Sequence, residues 1–108
     1  MPELVITKEN RGEHHGRYVA RFDGVEAEGE ITFTKRGPDI IGADHTGVPD
    51  PMAGQGVAKA LLDFMLTDAR DNGFRIIPIC PYVRKQYARH PEWADLFTTA
   101  PGEAPKPL

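Results

Sequence analysis

The sequence predicts an α+β fold, a mixed sheet carrying helices, on three observations. Four short segments between residues 5 and 48 are β-branched or alternate apolar with polar side chains, and turn signals separate them. One amphipathic run, residues 57–71, places apolar residues at three- and four-residue spacing. A further apolar strand at 74–80 leads into short helical stretches. The order ββββ-α-β-α describes an antiparallel meander followed by a helical crossover, so the helices should pack on the sheet.

Each element has a local reason. Val5-Ile6-Thr7 is β-branched and bounded by the turn-rich ENRGEHHG. Arg17–Phe22 alternates Tyr18, Ala20 and Phe22 with Arg17, Val19 and Arg21, and Asp23-Gly24 after it is a hairpin signal. In the third strand, Val25–Lys35, Val25, Ala27, Gly29, Ile31 and Phe33 share one face while Glu26, Glu28, Glu30, Thr32 and Thr34 share the other. That period belongs to a half-solvated antiparallel strand. Ile40–Val48 forms the fourth strand and Pro49-Asp50-Pro51 ends it. Val57, Ala58, Leu61, Leu62, Met65 and Ala69 make the apolar stripe of the helix, and Asn72-Gly73 stops it. Phe74–Cys80 is a short strand whose Pro78 implies a bulge or a sheet edge. Pro81–Ala88 reads as a short helix, and His90-Pro91-Glu92-Trp93 opens another turn.

Composition bounds the rest. At 108 residues, 40% apolar and 27% charged, the chain is expected to form one domain over residues 1–98. Residues 99–108 have too little apolar surface to order themselves and are expected to be a flexible tail. A net charge of −3 disfavours general nucleic-acid binding, which needs a basic face. The polar N-terminal stretch is no signal peptide, and no run approaches the roughly 20 apolar residues of a membrane span. One cysteine, Cys80, excludes an internal disulfide and suits a reducing compartment, so a cytoplasmic location is expected.

Functional chemistry concentrates at the mouth of the long helix. The first amides of a helix lack intrahelical acceptors, and its dipole places partial positive charge there. Gly54 and Gly56 remove Cβ atoms at that point, so a phosphate can approach consecutive N–H groups; a plain turn is the bland alternative. No Gly-Lys-Ser/Thr follows, as a Walker loop would require, and the third glycine of a dinucleotide fingerprint is missing.

Taken with its order of elements, this loop resembles that of the GNAT superfamily of acyl-CoA-dependent N-acyltransferases. The family loop is Arg/Gln-x-x-Gly-x-Gly/Ala; Ala53-Gly54-Gln55-Gly56-Val57-Ala58 matches its later positions and departs at Ala53, which costs one phosphate contact. The blocks DHTGVP (44–49), GQGVAKALL (54–62), IIPICPYV (76–83) and RHPEW (89–93) are similar to the very short GNAT-like proteins, over roughly residues 4–97. These lack the two helices that follow the first strand in full-length members, so an open acceptor side is implied.

The resemblance implies acetyl-CoA as cofactor and an amine as acceptor. Its phosphates would meet Gly54, Gln55, Gly56, Val57, Ala58 and Lys59. Its pantetheine arm would lie along the fourth strand, at Thr46 and Val48, where that strand parts from the fifth. Gly42 and Gly47 suit a bulge or close backbone approach there. Arg84 and Lys85 are candidates for the contact Ala53 cannot make, or form a solvated helix face. His45 is a candidate general base, since imidazole titrates near neutrality, or a hydrogen-bonded structural residue. Cys80 is either an acyl-accepting nucleophile or a small buried hydrophobe. Tyr87, with Tyr82 as rival, is placed to protonate the leaving thiolate or simply packs on the sheet. His14 and His15 read as solvated turn residues, His90 as a helix cap, and Trp93 and Phe97 as core anchors. A minimal N-acetyltransferase is the leading expectation. A non-catalytic acyl-CoA-binding or interaction module, and a redox sensor built on Cys80, are the rivals. Neither the acceptor nor the oligomeric state follows from the sequence.

Overall fold

The computed structural model describes residues 3–98. Its framework is a five-stranded sheet in the order β1-β2-β3-β4-β5. The strands are β1 Leu4–Arg11, β2 His15–Phe22, β3 Glu28–Gly37, β4 Ile40–Gly47 and β5 Arg75–Pro78. The first four run antiparallel as a meander, and β5 adds parallel to β4. A parallel neighbour needs a crossover, and α1, Val57–Asn72, provides it. A 3-10 turn at Asp50–Met52 precedes α1. After β5 come α2, Pro81–Arg89, and a 3-10 segment, Pro91–Leu96.

The meander and the crossover agree with expectation, with three adjustments. The third strand begins at Glu28 rather than Val25, because the chain spends Asp23–Ala27 in the turn. The first strand is longer than its β-branched core: its polar half, Lys8–Arg11, is held by pairing with His15–Tyr18. The C-terminal segment also joins the sheet edge. Phe97 bridges to Ile76, and the Thr98 N–H donates to the Ile76 carbonyl at 2.9 Å. Local sequence shows no strand there; β5 supplies the partner.

One face of the sheet is covered. Tyr18, Ala20, Ile31, Phe33 and Ala43 form one cluster with Val57, Leu61, Leu62, Met65 and Ala69 of α1. The stripe on α1 also includes Leu66, while Ala58 is only half-buried. Gly29 faces the start of α1, and a Cβ there would come within 2.8 Å of Val57 Cγ1, so the missing side chain lets the helix seat closely. Cys80, Val83, Leu96 and Phe97 complete the cluster, with Trp93 packed against it, as expected of core anchors. A polar tie joins sheet to helix: the Tyr18 hydroxyl and Lys8 Nζ both donate to Asp68, each at 2.8 Å.

The opposite face carries ions instead of helices among the described residues. Arg17 bonds Glu9 at 3.0 Å and Glu30 at 2.9 Å, with Glu28 at 3.6 Å, and Arg21 pairs with Glu9 and Glu28. The Glu30 carboxylate above all holds the Arg17 guanidinium charged, against the cost of its partial burial. Val19 lies fully buried on this face. The alternating charges shield its apolar side chain and make the face hydrophilic. This is the half-solvated side that the Glu-x-Glu-x-Glu pattern of β3 anticipates.

Candidate active site

The site forms where β4 outruns β5. The two strands pair from Ile40↔Arg75 to Ala43↔Pro78, and β4 then continues to Gly47 without that neighbour. Two features on β5 stop the ladder. Pro78 has no N–H to offer, and Ile79 folds back to donate to the Ile77 carbonyl at 2.9 Å. Cys80 N–H makes a last contact with the Ala43 carbonyl at 2.7 Å before Pro81 opens α2. The strands therefore part beyond Ala43, as the expected cleft requires.

A bulge on β4 sharpens the parting. Thr32 pairs with His45 and Phe33 with Ala43, so Asp44 is an extra residue in the strand. The expectation gave Gly42 and Gly47 either a bulge or a close approach; the bulge falls between them, at Asp44. Gly42 takes the second alternative, since a Cβ there would meet Arg36 Nε at 2.6 Å. Paired residues share a sheet face. His45 thus joins Thr32 on the ionic face, and Thr46 joins Ile31 on the helix-covered face. Asp44 also lies on the ionic face, where its carboxylate accepts a hydrogen bond from the Thr34 hydroxyl.

On the covered side, Thr46 Oγ1 and Cys80 Sγ stand 3.2 Å apart. Cys80 is buried in the core cluster, a small apolar-lined thiol at the start of α2. Tyr82 is half-buried nearby. Burial pushes its phenol up, Lys59 opposes, and the neighbouring Asp63 and Cys80 add to the rise. Tyr87 lies further along α2 with its ring stacked on Phe97, centroids 4.3 Å apart.

The loop before α1 has the character read from its sequence. Ala53–Gly56 is exposed, and Gly54 and Gly56 both take φ of 75°. Gly56 occupies the N-cap position in the left-handed conformation, with no side-chain cap, and no acidic residue lies in the first turn. A Cβ at either glycine would meet no protein atom within 4 Å. The donors at this helix end are therefore uncapped and approachable, which fits a pyrophosphate. Gln55 turns its amide back to the Pro51 carbonyl at 3.1 Å. Lys59 pairs with Asp63 at 3.0 Å on an exposed surface, and Val48 is half-buried just after β4. Arg84 donates its Nε–H to the Pro78 carbonyl at 3.3 Å and so braces the turn out of β5, while Lys85 is exposed.

Other histidines lie elsewhere. His14 is exposed in the β1–β2 turn, and His15 belongs to β2 rather than the turn, with Nδ1 3.3 Å from Thr34 Oγ1. His90 caps the end of α2, its backbone N–H donating to the Tyr87 carbonyl at 3.0 Å, and it stands at the N-cap of the last 3-10 segment without a side-chain capping bond. Its ring stacks on Trp93 and its Nδ1 pairs with Glu92 at 2.9 Å, an arrangement that draws the imidazole away from the backbone.

Comparison with known proteins agrees with this geometry. The model of the GCN5-related N-acetyl-transferase family matches residues 17–96. The chain belongs to this family. A GCN5-like protein from Staphylococcus aureus, solved in solution, is 29% identical, with a TM-score of 0.63 over 92% of both chains. Among curated proteins none matches. In this GCN5-related chain, sequence reading singled out Thr46 and Cys80 separately but missed their contact and the bulge at Asp44. The broken alternation at Asp44-His45, two polar residues in succession within a strand, is the signal that marks the bulge.

Proposed function

We propose that this GCN5-related chain transfers the acetyl group of acetyl-CoA to an amine. The observation that carries the reading is the parting of β4 from β5 beside the uncapped, glycine-lined start of α1. Gly54, Gln55, Gly56, Val57, Ala58 and Lys59 would hold the phosphates, and Thr46 and Val48 would flank the pantetheine arm. Acetyl-CoA supplies an activated thioester when bound. The chain's own part is to position it and to manage protons. His45, on the open side of β4, takes the proton from an ammonium so that the amine can attack. Tyr87, stacked on Phe97, and its rival Tyr82, two residues after Cys80, are the candidates to donate a hydrogen bond to the departing thiolate.

Cys80 lines the site in this reading and carries no acetyl group. It is buried, and its described hydrogen-bonding partner is the neutral Thr46 hydroxyl rather than a cation that would favour thiolate. The test is release of free CoA from acetyl-CoA with a panel of amines, using the parent and Cys80→Ala. Amine-dependent release by both supports direct transfer. A labile acetyl adduct on Cys80, discharged by amine at the turnover rate, would establish the covalent route instead. Tight CoA binding with no release in any amine would make the chain a binding module.

A further inference from the structure

His45 is exposed, and its ring forms no hydrogen bond to the described residues; only its backbone carbonyl accepts one, from Thr32. The rings of His15 and His90, by contrast, are bonded to Thr34 and Glu92. A proton acceptor has to stand in a defined place, because misplacement costs rate steeply. Something other than a hydrogen bond must therefore fix this imidazole.

The backbone two residues on supplies the means. His45 and Gly47 lie on the same face of β4, opposite Thr32 and Glu30 of β3. Same-face positions two residues apart on a strand are separated by roughly 6.6 Å. The place a Cβ would take on Gly47 lies 3.3 Å from His45 Nε2 and 3.8 Å from its Cδ2. The imidazole therefore leans along β4, with its Nε2–Cδ2 edge over the bare backbone of Gly47. Chain neighbours aside, no other described group comes within 4 Å of that place. Nor does the backbone itself call for glycine here: Gly47 has no positive φ, unlike Gly54 and Gly56. What the missing side chain leaves is room for this ring.

We propose that Gly47 is a positioning residue, which seats the His45 imidazole along the last part of β4. The inference rests on the acetyltransferase reading for its purpose, and on the ring's geometry for its substance. The β5 ladder ends opposite Ala43, so the seat lies on the stretch of β4 that has parted from its neighbour. In that reading Thr46 and Val48 flank the pantetheine arm there, and a ring leaning over Gly47 brings the base to the same stretch. The charged groups around the seat already have partners. Glu30, opposite Gly47, bonds Arg17 at 2.9 Å, and Asp44 accepts from Thr34 and pairs with Arg36 at 3.6 Å. Packing on Gly47, not an ion pair, holds the ring.

Gly47→Ala is the probe, since its methyl group meets this ring and little else. In isotope-labelled parent protein, nuclear Overhauser contacts from His45 Hδ2 to the Gly47 α-protons are expected. In Gly47→Ala the His45 ring signals should move while the amide spectrum away from β4 stays as in the parent. Release of CoA from acetyl-CoA in the presence of an amine should fall about tenfold in kcat with KM for acetyl-CoA unchanged, short of the roughly 10²-fold that a 1 Å misplacement can cost. Placed in His45→Ala, the same substitution should cost less than about twofold more, because the group it acts through is gone. A parental kcat in Gly47→Ala, a tenfold loss repeated in the His45→Ala background, or no Hδ2 contact with Gly47 in the parent would overturn the proposal. If no amine elicits CoA release from the parent, the acetyltransferase reading fails, and the ring contacts alone then decide whether Gly47 seats the imidazole.

Discussion

Replacing Gly56 with alanine probes the helix mouth directly. Gly56 holds φ of 75° at the N-cap of α1, and its Cβ would project into open space. The protein itself therefore resists the substitution only through backbone strain, about 1–2 kcal/mol for an L-residue in the left-handed region. For a domain of this size each kcal/mol lowers the melting temperature by about 4–8 °C. Gly73→Ala is the matched control, because Gly73 holds φ of 73° at the other end of the same helix and also meets nothing within 4 Å. Both variants should melt lower by similar amounts. CoA at about 100 times its Kd should stabilise the parent by about 2.7 kcal/mol, or on the order of 10 °C. Gly73→Ala should keep that increment. In Gly56→Ala the methyl group stands where phosphate would sit; a 100-fold weaker Kd leaves about 0.4 kcal/mol at the same concentration. Thermal melts of the three proteins with and without CoA decide the matter. An undiminished increment in Gly56→Ala, or an equal loss in Gly73→Ala, would refute the role assigned to the loop.

His45→Ala should retain the CoA increment, lose about 10²–10⁴-fold in turnover, and lose the fall in rate on the acid side of the pH profile. A parental rate and profile would make His45 structural. Asp68 should govern acid stability: burial alone would raise its carboxyl, but hydrogen bonds from Lys8, Tyr18 and Asn72 outweigh that and hold it low. A depressed carboxyl stabilises the fold above its unfolded range near pH 4 and loses that contribution as pH falls through the lower folded value. Asp68→Asn should therefore melt lower at neutral pH, with a shallower further decline below about pH 4 than the parent, read by melting temperature against pH.

The elements of the fold were legible because their signals are local. Alternation in Arg17–Phe22 and in Glu28–Thr34 states which side chains go to the core, and the α1 stripe states which face of the helix meets them. Gly54 and Gly56 announced an approachable helix start for the same reason: a missing Cβ is written in the residue itself. His90 shows the limit. Its place before Pro91 suggested a cap, which its backbone provides at the end of α2, but the stacking of its imidazole on Trp93 and its pairing with Glu92 could not be read locally.

What the sequence by itself determined is the list of strands, the amphipathic helix, the glycine mouth and, through their order, the GCN5-related architecture. Tertiary structure decided how the polar residues of β4 are shared between the two faces of the sheet. One extra residue at Asp44 sends His45 to the ionic face and Thr46 to the thiol of Cys80, and a single-residue slip inverts every side chain beyond it. That slip is set by the pairing with β3, where Thr34 holds the Asp44 carboxylate. These partners lie 10 and more positions away along the chain. A side chain's face is local only while the strand's period holds, and at a bulge the neighbouring strands set it.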